Sequence, residues 1–95
     1  MDAFTIEIAG LVTRVQPLFG STREYCRPYL TEKNSAFSVE VTQQDLVLEQ
    51  TLWEQEAVEE GLKIRKFSDP FLERATIQRK IALELLNRDT ILLHG

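Results

Sequence analysis

Hydrophobic and polar positions alternate from the start of the chain. Phe4, Ile6 and Ile8 fall on one side of an extended backbone, with Thr5, Glu7 and Ala9 on the other. This is the period-two pattern of a half-buried strand. Gly10 punctuates it and Leu11 to Val15 resumes with β-branched residues, which predicts a hairpin about Ala9-Gly10. Pro17 ends the second strand because it cannot donate to a ladder, and Phe19-Gly20 forms a turn. Ser21 and Glu24 have capping-box spacing, which predicts a short helix with Tyr25, Cys26, Tyr29 and Leu30 on one face. Pro28 would remove a hydrogen bond inside that helix, so it should kink or end early.

A third strand follows, with Phe37, Val39 and Val41 alternating with Ser38, Glu40 and Thr42. Thr42 and Asp45 are spaced as an N-cap, and Gln43 to Glu60 is helical in composition and acidic. Leu46, Trp53, Ala57 and Val58 are its expected buried side. Gly61 suits the left-handed position after a helix end, with Leu62 as the apolar contact that accompanies such a cap. Lys63, Arg65 and Lys66 interleave with Ile64 and Phe67, which suggests a short edge strand. Ser68-Asp69-Pro70 opens a last helix, reaching Asn87. Its apolar stripe is Phe71, Ile77, Ile81, Leu85 and Leu86, opposite Glu73, Arg79, Lys80 and Glu84. Arg88-Asp89 reads as a break, and Thr90 to Leu93 as a strand buried on both faces. The expected architecture is α+β. A small mixed or antiparallel sheet (the hairpin, a third strand and a C-terminal strand) packs on two longer helices and one short one. Residues 1–95 form a single domain.

Composition narrows the function. Of the 95 residues, 43% are hydrophobic and 27% charged, which is ordinary for a globular domain. The net charge of −4 argues against nucleic acid as a partner and against a polybasic membrane anchor. No apolar run approaches the roughly 20 residues of a membrane span, and the N-terminus lacks the pattern of a signal peptide. One cysteine excludes an internal disulfide and fits a reducing compartment, so the cytoplasm is the default location.

The catalytic motifs fail one by one. Gly10, Gly20, Gly61 and Gly95 start neither a P-loop nor a dinucleotide fingerprint, both of which need backbone amides wrapped around phosphates. One histidine and one cysteine cannot supply a zinc ligand set without carboxylates. Glu54, Glu56, Glu59 and Glu60 could hold a hard cation weakly, but an acidic helix face is usually solvated surface. Cys26 and His94 are the sole nucleophile–base pair. Cys26 reads as a buried, inert thiol between two tyrosines, and His94 as a residue capping a strand end. No catalytic residue, metal site or cofactor is therefore expected of this chain. Candidate interaction residues are Trp53, which suits either a core or an interface anchor, and the cations Lys63, Arg65 and Lys66. The cations could meet an acidic partner or pair with the acidic helix before them.

The last stretch carries a resemblance. Ile77-Gln78-Arg79-Lys80-Ile81-Ala82-Leu83-Glu84-Leu85-Leu86, followed by Asp89-Thr90-Ile91-Leu92-Leu93-His94-Gly95, resembles the approach to the nucleotide-binding core of bacterial HPr-kinase-like proteins. Some of these are described as like ATP-dependent phosphoenolpyruvate carboxykinase. Phe4-Thr5-Ile6-Glu7-Ile8-Ala9-Gly10, Cys26 before Tyr29-Leu30, and Phe37-Ser38-Val39 are similar to the small region preceding that core. The resemblance implies a non-catalytic N-terminal accessory domain of a P-loop protein, serving packing, substrate presentation or dimerisation. It further implies that the P-loop, with its ATP and Mg, lies beyond Gly95, and that His94 neighbours a nucleotide site in the longer protein. The alternative is a free-standing cytoplasmic protein-interaction module. An apolar strand at the chain end would also make the isolated domain marginal or self-associating.

Overall fold

A computed structural model describes residues 2–94, the last five of them by backbone alone. Strand β1 (Phe4–Ile8) pairs antiparallel with β2 (Leu11–Gln16), in a register that sets Phe4 against Val15 and Ile6 against Thr13. The connection is the expected two-residue turn. Ala9 and Gly10 both have positive φ, 51° and 80°, the conformation whose twist matches that of the flanking strands. Glycine enters it freely, whereas alanine is strained there.

Strand β3 (Phe37–Glu40) lies beside β2 and runs parallel to it, with Thr13 against Phe37 and Val15 against Val39. The sheet is therefore mixed, in the order β1-β2-β3. A parallel pair needs a long crossover. Here it contains helix α1 (Ser21–Tyr25) and a single 3₁₀ turn, Arg27–Tyr29. Pro28 lies in the first positions of that turn and stops α1 early, as its sequence predicts. The crossover then lines the outer edge of β1, where Leu30 bridges to Ile6 and the Thr31 amide donates to the Thr5 carbonyl.

Helix α2 (Gln43–Glu59) begins with the predicted capping box. Thr42 Oγ1 accepts from the Asp45 amide at 3.2 Å, and the Asp45 carboxylate accepts from the Thr42 amide at 2.8 Å. It ends in the cap predicted at Gly61, whose φ is +70°. The Leu62 amide donates to the Ala57 carbonyl at 2.7 Å and the Gly61 amide to Val58 at 3.2 Å, a Schellman pair of bonds. Helix α3 (Asp69–His94) is capped by Ser68 Oγ, which accepts from the Phe71 amide.

The core lies between one sheet face and the helices. Phe4, Ile6, Leu11, Val15, Val39 and Val41 meet Leu46 of α2 and Leu72, Ile77 and Ile81 of α3. Thr5, Glu7, Arg14, Ser38 and Glu40 point the other way, as strand alternation requires. Helix α3 is the hub, touching α1, α2, β2 and β3.

Several expectations are corrected. The C-terminal strand at Thr90–Leu93 does not exist, because α3 continues through that stretch to His94. Arg88-Asp89 does not break the helix. Arg88 Nε donates to Glu84 Oε1 one turn earlier at 2.9 Å, which supports continuation. The Ser21–Glu24 capping box is not made: α1 has Gly20 at its N-cap and no side-chain cap bond, while Glu24 pairs with Arg27. Lys63–Phe67 forms no strand. Val58 is 66% exposed and Leu86 is exposed too, although both were expected to be buried. Glu73, assigned to the wet side of α3, is 0% exposed.

Candidate interaction site

The predicted interaction residues meet where α2 ends. Trp53, on the α2 face turned toward α3, packs on Phe67 and Phe71 with ring centroids 5.3 and 6.0 Å away. Phe67 and Phe71 stack on each other at 4.7 Å. Rings at these separations add attraction beyond their buried area. A cavity of about 190 Å³ opens beside the cluster. Its apolar walls are Trp53, Ala57, Leu62 and Phe67, and its charges are Glu56, Glu60, Lys63 and Arg65. The indole nitrogen of Trp53 is buried and has no hydrogen-bond partner among the described residues. A buried N–H left unsatisfied costs on the order of 1–3 kcal/mol.

Segment 63–67 is held by a side chain where an edge strand would have a ladder. In an extended chain the carbonyl of one residue and the amide two residues on face the same way. Gln50 of α2 uses this spacing. Its Nε2 donates to the Arg65 carbonyl at 2.8 Å and its Oε1 accepts from the Phe67 amide at 3.1 Å. The clamp fixes the alternation of side chains. Lys63, Arg65 and Phe67 line the Trp53 cavity, and the Arg65 guanidinium lies 5.4 Å from the Phe67 ring centre. Lys66 falls on the opposite side and pairs with Glu54 at 3.0 Å. Hydrogen bonds from Gln50 and then Lys66 hold the Glu54 carboxyl below its ordinary range.

Three of the four proposed interaction residues, Trp53, Lys63 and Arg65, therefore share one site, and Lys66 does not. Gln50, which organises the site, was missed. Its signal is weak in sequence: one of four glutamines in an acidic helix, one turn before Trp53. Leu62 was foreseen as a cap contact and proves to be a wall of the cavity.

The remaining candidates lie elsewhere. Cys26 is buried, and burial pushes its thiol above the ordinary value against the smaller opposing effect of Arg74. The His94 side chain, and with it the Cys26–His94 pair, lies outside the described residues. Among the described residues no three His, Cys, Asp or Glu side chains are grouped to hold a metal ion, and no helix is long and apolar enough to cross a membrane. Compared with protein-family models, curated proteins and solved structures, the chain matches none.

Proposed function

We propose that this chain is a non-catalytic accessory domain that packs against a protein partner through the Trp53 cavity. One observation carries the reading: a buried, unpartnered indole N–H beside an apolar hollow edged by charges of both signs. Interfaces concentrate their energy in such places, where an aromatic anchor sits in a desolvated centre within a polar rim. A partner that inserts an apolar side chain and presents a carbonyl would fill the hollow and satisfy the nitrogen.

The sequence resemblance supplies the partner. It is the P-loop core of an HPr-kinase-like or phosphoenolpyruvate carboxykinase-like protein of bacterial type, in the cytoplasm. ATP and Mg belong to that core, and the accessory domain contributes packing, substrate presentation or dimerisation. The kinase assignment is tested in the reading frame past Gly95, where Gly-x-x-x-x-Gly-Lys-Ser/Thr within a few dozen codons is expected. Its absence overturns that assignment. The site is tested by binding between this chain and the core expressed separately. Trp53→Ala should weaken it about tenfold or more. Trp53→Phe, which keeps an aromatic ring but loses the N–H and part of the indole's area, should weaken it less. Binding within about twofold of wild type in both variants sinks the site while leaving the kinase assignment standing.

A further inference from the structure

A second cavity, of about 250 Å³, lies on the other side of α3, between that helix, β1 and α1. Its floor is apolar: Ile6 and Ile8 from β1, Ile77 from α3, and the buried Cys26. Tyr25 and Tyr29, each about half exposed, stand at its mouth. Arg74 is the one ionised residue in the lining. Its guanidinium carbon lies 4.5 Å from the centre of the Tyr25 ring, and it makes no ion pair or hydrogen bond among the described residues. The neighbouring Glu73 carboxylate cannot neutralise it cheaply, being engaged by the amides of Leu18 and Phe19 and the Thr22 hydroxyl. Burial keeps the Cys26 thiol protonated, so no second charge arises in the wall.

The chain as a whole carries −4, yet this hollow carries a lone cation over an apolar floor. Small-molecule sites have this composition: hydrophobic and aromatic walls with a few polar groups that fix orientation. The ring contact holds Arg74 in place while its N–H groups remain free for an anion. We propose that this cavity binds a small organic carboxylate with an aryl or short-chain apolar body. The body lies on Ile6, Ile8 and Ile77, and the carboxylate accepts from Arg74 at the mouth. The cavity volume suits a molecule of fragment size.

The test is an NMR titration of the ¹⁵N-labelled chain with 3-phenylpropanoate and, separately, with the neutral 3-phenylpropanol. The amides of Tyr25, Cys26, Tyr29, Ile77 and Gln78 should shift saturably with the acid, with a dissociation constant on the order of 1 mM. The Trp53 indole signal should stay still. The alcohol should bind about tenfold more weakly, because it lacks the charge-assisted bond. Arg74→Met should bring the two ligands to equal affinity, and Arg74→Gln, run in parallel, should do the same. The proposal is overturned if those amides fail to respond saturably or if acid and alcohol bind the wild type equally. It is equally overturned if either folded variant keeps the preference for the acid.

Discussion

Two buried glutamates, one on each long helix, show two different ways of keeping a carboxylate out of water. Glu73 of α3 is 0% exposed and forms no ion pair among the described residues. Its oxygens accept from the Leu18 amide at 2.6 Å, the Phe19 amide at 3.2 Å and Thr22 Oγ1 at 2.5 Å. The two amides precede α1 and the hydroxyl lies in its first turn, so a side chain from α3 ties down the entry to a helix some fifty residues earlier in the chain. Glu49 of α2 is 3% exposed and is met by the fork of Arg79, with Nε 3.0 Å and Nη2 2.8 Å from its oxygens. The first arrangement fixes a loop and the second fixes a helix pair. The difference is one of partners: fixed backbone dipoles cost little further ordering, whereas a guanidinium must be held in place.

The comparison breaks most visibly at Glu73. Glu73→Gln presents an NH₂ where only donors face it, so at least one bond is lost and another group is left unsatisfied. A loss of about 2–4 kcal/mol in urea unfolding is expected. A change under about 0.5 kcal/mol would mean the loop is not held by this carboxylate.

Arg79→Met tests the other arrangement. It strands the Glu49 carboxylate and should cost about 2 kcal/mol, less than a fully buried pair because Arg79 itself is partly wet. The double variant Glu49→Met/Arg79→Met should recover to within about 1 kcal/mol of wild type, since apolar replacement of a buried pair is often neutral. No such rescue is available at Glu73, where two of the three partners are backbone amides. A double variant as unstable as the single one would remove that contrast.

Lys80 and Asp45 form the wetter counterpart, linked at 3.1 Å, while Lys80 Nζ also donates to the Glu40 carbonyl. Desolvation raises the Asp45 carboxyl, but hydrogen bonds from Thr42 and Lys80 outweigh it and leave the group below its ordinary value. On acidification the unfolded chain therefore takes up this proton first. The stabilisation is complete above about pH 4 and is lost as the pH falls through the depressed folded-state value. Asp45→Asn should cost about 1 kcal/mol at neutral pH and flatten the acid limb of a stability–pH curve. An unchanged acid limb would refute the assignment.

The smallest effect should be a gain. Ala9→Asn relieves a positive φ in the hairpin, far in sequence from both glutamates, and should add about 0.5–1 kcal/mol. Its effect should add to that of Glu73→Gln within about 0.5 kcal/mol. Failure to add would show that the two regions are coupled.

Both glutamates left a trace in the sequence. Ile77, Ile81 and Leu85 recur every four residues on α3, and one step back along that row is Glu73. Glu49 likewise stands three residues after Leu46 and four before Trp53, inside the buried seam of α2. Periodicity places both carboxylates on the packed face, and only their charge argued for the wet one. At the candidate site, residue type marked Trp53, Lys63 and Arg65. Which cations shared a side with the tryptophan depended on the register of segment 63–67.

What the sequence determined by itself were features whose partners lie within a few residues. These are the Ala9-Gly10 hairpin, the capping box of Thr42 and Asp45, the Gly61 terminus, the arrest of α1 by Pro28, and the α+β mixture of strands and amphipathic helices. The tertiary structure decided the rest. It set β3 parallel to β2, let α3 run through the apolar stretch that resembled a strand, replaced the expected edge strand by a clamp from Gln50, and buried Glu73. For β3, the Gln50 clamp and Glu73 the deciding partner was a backbone group or side chain distant along the chain. Local spacing carries no information about such a partner until the chain has folded around it.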